Sequence, residues 1–141
     1  MKLFALAASA LALAASVVAQ PEALRFGTVS INPTTVKPGQ PFTVHYNGTY
    51  ARHPPAFLDV YIQGIDYPNN FVQPQYLLQR TAFPPTNSVR DVTFNTVLPN
   101  QEWAQNANYT IWAFITYPID TSTNPALEYG GTSTGIIIDQ S

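Results

Sequence analysis

The longest unbroken run of β-branched and aromatic residues is Asn108-Tyr109-Thr110-Ile111-Trp112-Ala113-Phe114-Ile115-Thr116-Tyr117, closed by Pro118. Such residues suit a pleated, packed surface better than a helix, and proline cannot donate to a sheet ladder. Side chains alternate along a strand, so Tyr109, Ile111, Ala113, Ile115 and Tyr117 form one row. Thr110, Trp112, Phe114 and Thr116 form the other. Asn108-Tyr109-Thr110 is an N-glycosylation sequon, and a usable Asn108 faces solvent. The row that starts at Tyr109 therefore faces the core, and Trp112 and Phe114 face outward.

The same period of two recurs along the chain. Residues 41–47 place Phe42, Val44 and Tyr46 inside and Thr43 and His45 outside, in phase with a second sequon at Asn47-Gly48-Thr49. Residues 57–63 place Leu58, Val60 and Ile62 inside and Asp59, Tyr61 and Gln63 outside. Further strands are expected at 24–31, with a weak point at Gly27, and at 75–80, 88–98 and 130–139. Residues 32–40 read as a turn in which Pro38-Gly39 suits the centre of a type II turn. Polar connections fill 50–55, 65–74, 83–87, 100–107 and 119–127. Seven short strands between turn signals, with no amphipathic helix and no repeat, predict an all-β, immunoglobulin-like or fibronectin-III-like sandwich of about seven antiparallel strands. A tyrosine opening the penultimate strand, Tyr109, is similar to the tyrosine corner of those folds, whose buried ring sends its hydroxyl back to upstream backbone.

The first 19 residues stand apart. Lys2 precedes an Ala-Leu run from Leu3 to Ala15, and Val17-Val18-Ala19 sets small residues before a cut at Gln20. This is the pattern of a secretory signal peptide, too short to span a bilayer comfortably. It leaves residues 20–141 as a single extracellular domain with no membrane anchor expected. The chain has no cysteine, so the domain must stand on packing, for which its 13% aromatic content is suited. A net charge of −2 with only 6 Lys and Arg makes no phosphate-tracking stripe, so no nucleic-acid partner is expected.

Candidate chemistry is sparse. No nucleophile elbow and no paired-histidine zinc helix is present. His45 and His53 have no metal-ligand spacing. The acids Asp59, Asp91, Glu102 and Glu128 read as solvated charges. No catalytic residue, metal or cofactor is expected. Two surfaces remain. One is the outer sheet face, where Tyr61, Trp112 and Phe114 lie side by side with Tyr76 or Leu78 beside them. Three rings on one exposed face suit a sugar chain or a protein partner. The other is a loop end carrying Tyr50, Arg52, His53, Phe83, Pro84, Pro85, Asp120 and Asn124, since loops on a rigid sandwich commonly carry recognition.

The Ala-Leu-rich leader, the Ser30-Ile31-Asn32-Pro33 step before Val36-Lys37-Pro38-Gly39-Gln40, and the strand from Tyr109 to Tyr117 resemble small secreted β-sandwich proteins of fungi. They are similar to the necrosis-inducing secreted effector family and, more loosely, to the β-sandwich domain of cell-wall glucan-assembly proteins. The resemblance implies secretion and a protein or cell-wall glycan partner, and it carries over no functional residue. The expectation is a secreted, non-enzymatic binding module, effector-like or wall-associated. The alternatives are a surface protein that self-associates, as a homodimer, through its aromatic face, and a glycan-active enzyme.

Overall fold

The computed structural model describes residues 25–67, 69–84 and 90–141. The expected leader and the expected cut before Gln20 lie outside these residues, as does Pro85. Among the described residues the strands are β1 (Thr28–Asn32), β2 (Thr35–Val36), β3 (Pro41–Asn47), β4 (Phe57–Asp66), β5 (Phe71–Val72), β6 (Tyr76–Ala82), β7 (Asp91–Val97), β8 (Ala107–Pro118) and β9 (Leu127–Ile138). They form two sheets. One has the order β1-β3-β7; the other has the order β2-β9-β8-β4-β5, with β6 also paired to β4. This is the expected all-β sandwich, in the strand order of an immunoglobulin-like domain.

Hydrophobic alternation explains both sheets. On β8 the row Tyr109, Ile111, Ala113, Ile115 and Tyr117 is buried, while its outward neighbours Thr110, Trp112, Phe114 and Thr116 are half-buried. On β3, Phe42, Val44 and Tyr46 are buried; on β4, Leu58, Val60 and Ile62 are. These rows meet between the sheets in one core cluster with Val29, Ile31 and Ile136. Tyr46 lies fully inside, donates its hydroxyl to Phe26 O at 2.9 Å, and burial pushes its phenol up to about 12.

Three differences from the sequence expectation matter. First, the turn at 32–40 contains β2, which runs parallel to the end of β9, pairing Thr35 with Ile137 and Val36 with Ile138. The sandwich is therefore not wholly antiparallel: the chain switches sheets before the turn at Lys37-Pro38-Gly39-Gln40, where Gln40 N donates to Lys37 O at 3.0 Å. Second, the 65–74 connection includes β5, which extends β4 to Asp66 by pairing Ile65 with Val72 and Asp66 with Phe71. Third, β9 begins at Leu127, three residues earlier than expected, so Tyr129 joins the sheet opposite Thr116.

The tyrosine corner forms as expected. The Tyr109 ring is buried against Trp103, with centroids 5.3 Å apart and planes at 86°, and its hydroxyl donates to Ala104 O at 3.3 Å. Tyr109→Phe keeps the ring and removes one long hydrogen bond. It should lower the unfolding free energy by about 1 kcal/mol, read as a shift in urea midpoint at constant slope.

Candidate functional site

The outer face of the larger sheet is built by register. Opposite residues in a ladder share a face, and β4 pairs Tyr61 with Trp112 and Asp59 with Phe114. On the other side β9 sets Gly131 opposite Phe114 and Tyr129 opposite Thr116. Tyr61, Trp112 and Phe114 thus come together as the sequence predicts, and Tyr129 joins them. Trp112 and Phe114 are stacked at 5.4 Å and 10°, Phe114 and Tyr129 at 4.9 Å and 11°, and Tyr61 meets Phe114 edge-on at 5.8 Å and 71°.

Gly131 makes room for this stack. A Cβ there would lie 2.7 Å from Phe114 Cδ1 and 2.8 Å from Ala113 O, so the phenyl ring occupies the space that a side chain would fill. Centroid separations of about 5 Å between nearly parallel rings mean offset stacking, with each ring covering only part of the next. Phe57, Leu77, Leu127 and Tyr129 are exposed around the stack. Gln63, Thr110, Thr116 and Ser133 lie in the same outward rows of β4, β8 and β9 and supply neutral hydrogen-bonding groups.

Two sequence expectations about this face are corrected. Tyr76 and Leu78 are not beside the rings. The register between β4 and β6 slips at Val60/Tyr61 and sets Leu77 opposite Tyr61. Tyr76 instead packs edge-on against the buried Trp103 at 5.7 Å, and Leu78 packs against the core. Asp59 points outward but is no solvated charge: it is 6% exposed. Arg80 closes over it, donating Nε to Oδ1 at 2.6 Å and Nη2 to Oδ2 at 2.8 Å, and this pairing raises the Arg80 pKa. The two charges neutralise each other within the face.

Tyr129 was the residue that sequence reasoning missed. Its signal was the alternation Leu127, Tyr129, Gly131, Ser133, which puts it in phase with the outer row once β9 is allowed to start before the two glycines.

The loop end is less of a surface than the sequence suggests. Phe83 is 8% exposed and belongs to the core cluster, because its backbone N donates to Ala56 O at 2.8 Å and draws the ring in. His53 lies flat on Tyr117, with centroids 4.8 Å apart and planes at 16°. Tyr50 is 79% exposed, and Arg52, Pro84 and Asn124 are exposed too. Beside them Pro54, Pro55, Pro118, Pro125 and Leu127 line an apolar cavity of about 450 Å³. Glu128 is not free either: it forms an ion pair with Arg25, and a hydrogen bond from the Tyr117 hydroxyl, ahead of one from Arg25, holds its carboxyl below the usual range.

Asp120 caps its own loop. The Ser122 hydroxyl, the Ser122 amide and the Ala126 amide hold its carboxylate below the ordinary value, with Oδ1 2.9 Å from Ser122 N and Oδ2 3.2 Å from Ala126 N. A depressed folded pKa contributes stability above the unfolded value that is lost as pH falls through the folded one. Wild type should therefore lose stability below about pH 4 more steeply than Asp120→Asn, as measured by urea unfolding across that range.

Asp59 lies on β4 in one sheet, whereas Asp91 lies on β7 in the other, beside His45 at 2.8 Å. Among the described residues no group of three His, Cys, Asp or Glu side chains is placed to hold a metal ion. Of the sequons, Asn108 is exposed at the start of β8. Asn47 is half-buried at the end of β3, with its Oδ1 accepting from Thr49 N at 2.9 Å.

No family model and no curated protein matches the chain. Solved structures do. Superoxide reductase (neelaredoxin) from Ignicoccus hospitalis is 21% identical with a TM-score of 0.45, over 79% of this chain and 80% of that one. A single-substitution variant of the same protein is 20% identical with a TM-score of 0.48, over 86% and 90%. At these identities and scores the likeness is one of all-β fold and carries no activity across.

The expectation of a non-enzymatic module is corrected and not taken further: the solved structures of similar fold are superoxide reductases by name. The two histidines lie apart, His45 on β3 beside Asp91 and His53 stacked on Tyr117.

Proposed function

We propose that the outer face of the larger sheet holds a neutral saccharide chain against the offset stack of Trp112, Phe114 and Tyr129, with Tyr61 at its edge. The stack is the observation that carries this reading. The negative face of an aromatic ring attracts the weakly positive C–H groups on one side of a sugar ring, and offset stacking leaves part of each face open for that contact. Gln63, Thr116 and Ser133 offer donors and acceptors to hydroxyl groups. Asp59 and Arg80 satisfy each other and leave no net charge for an ionic ligand. Binding at this face is compatible with catalysis elsewhere in the chain.

The experiment is quenching of tryptophan fluorescence by an aqueous quencher during titration with neutral β-glucan and chitin oligosaccharides. Trp103 is buried, so Trp112 carries the quenchable signal. The expected result is that at least one oligosaccharide shields Trp112. Quenching that stays the same with every oligosaccharide would sink the proposal.

A further inference from the structure

A cavity lies not over the rings but beside Asn108. It holds about 610 Å³, within the roughly 300–1,000 Å³ of small-molecule sites. Asn108 itself forms part of its wall, with Thr110, Gly135 and Ile137 from the sheet and Gln105 and Gln140 from the flanking segments. Its whole lining is uncharged. The lining mixes aliphatic surface, including the 64% exposed Ile137, with neutral amides and the hydroxyl-bearing Thr34 and Thr110. Gly135 is its open point: a Cβ there would meet nothing within 4 Å. The trough thus starts at the acceptor residue of a sequon whose Asn108 is exposed and whose Tyr109 is locked inward.

We infer that Asn108 carries an N-linked glycan and that the glycan's N-acetylglucosamine stem lies in this trough. This inference rests on the sequon and the cavity, and is independent of the saccharide reading of the aromatic face. The donor is a polyprenyl-pyrophosphate oligosaccharide of the secretory pathway, which the leader pattern at the N-terminus gives reason to expect. The side-chain amide nitrogen of Asn108 bonds to C1 of the first sugar and loses a proton. The C1–oxygen bond breaks, and the polyprenyl pyrophosphate leaves with its electron pair. The attached stem then lays its C–H surface and acetyl methyl on Ile137 and sets its hydroxyl and amide groups toward Thr110, Gln105 and Gln140. Uncharged, mixed walls suit such a ligand better than an ion or a purely apolar chain.

The test uses the full chain secreted from a eukaryotic host. Peptide mass spectrometry reads occupancy at Asn108, and release of that glycan by a peptide amidase is timed on the native protein. Gly135→Phe fills the trough from its open point. The expected result is an occupied Asn108 whose native release is roughly tenfold slower in wild type than in Gly135→Phe, with equal rates after denaturation. An unmodified Asn108 in the secreted protein, or equal native rates in the two proteins, overturns the inference. Should Gly135→Phe not fold, nuclear Overhauser contacts between the labelled acetyl methyl and Ile137 in wild type decide it: their presence upholds the inference and their absence refutes it.

Discussion

Trp112→Ala should weaken saccharide binding at the aromatic face by about thirty- to a hundredfold, a loss of about 2–3 kcal/mol. The ring sits in the outer row of the central strand, half-buried, stacked on Phe114 and opposite Tyr61. Removing it takes away its own contact with a sugar and frees Phe114 on one side. The fold should tolerate the change, because the row that anchors β8 to the core is the opposite one, from Tyr109 to Tyr117. Two measurements separate the effects. Calorimetric titration gives the affinity, and urea unfolding should show a stability cost of about 1 kcal/mol, the scale of one lost aromatic pair. Phe114→Ala is expected to act similarly, because Phe114 bridges Trp112 and Tyr129 and its loss splits the stack. Affinity unchanged in both variants would remove the face as the binding site.

Gly27→Ala should cost about 3 kcal/mol of stability, a large share of the roughly 5–15 kcal/mol that holds a domain of this kind together. Gly27 has φ of +87°, where an L side chain is strained. Its Cβ would also lie 2.6 Å from Asn47 O and 3.0 Å from Gly48 Cα, which are backbone atoms that cannot swing aside. The clash falls where Thr28 pairs with Asn47 and β1 enters the sheet. Gly39 is the internal comparison. It has φ of +76° at the turn before β3, yet the nearest atom to its added Cβ is Asn100 Cβ at 3.9 Å. Gly39→Ala therefore bears the conformational cost alone, about 1 kcal/mol. The difference between the two urea midpoints isolates the steric part. Equal costs would mean that the close approach of β1 to the end of β3 is not what requires the glycine.

The face that carries the candidate site was legible wherever one side of a strand is buried. Along β8, β3 and β4 a polar–apolar alternation of period two specified which residues turn inward, because a slip of one residue would expose a whole hydrophobic row. Trp112, Phe114 and Tyr61 were placed correctly for that reason. So was the tyrosine corner, which needs only a tyrosine at a strand start and a short upstream loop. Misreadings arose where position depends on a partner distant in sequence. Asp59 has the outward phase that the pattern assigns, but Arg80 from β6 covers it. Phe83 sits among prolines and reads as a loop residue, yet its segment hydrogen-bonds to Ala56 and turns the ring into the core.

By itself, then, the sequence determined the seven longer strands, their inward rows, the turn at Pro38-Gly39 and the sequons, all of which depend on residues within a few positions of one another. Only the tertiary structure decided that Tyr129 completes the stack on Phe114, that Leu77 rather than Tyr76 borders Tyr61, that β2 joins β9 in parallel, and that an open trough lies beside Asn108. Each of these follows from the register between strands far apart in the chain. Register is set by how whole rows of side chains pack across the sheet, and no local run of residues encodes it.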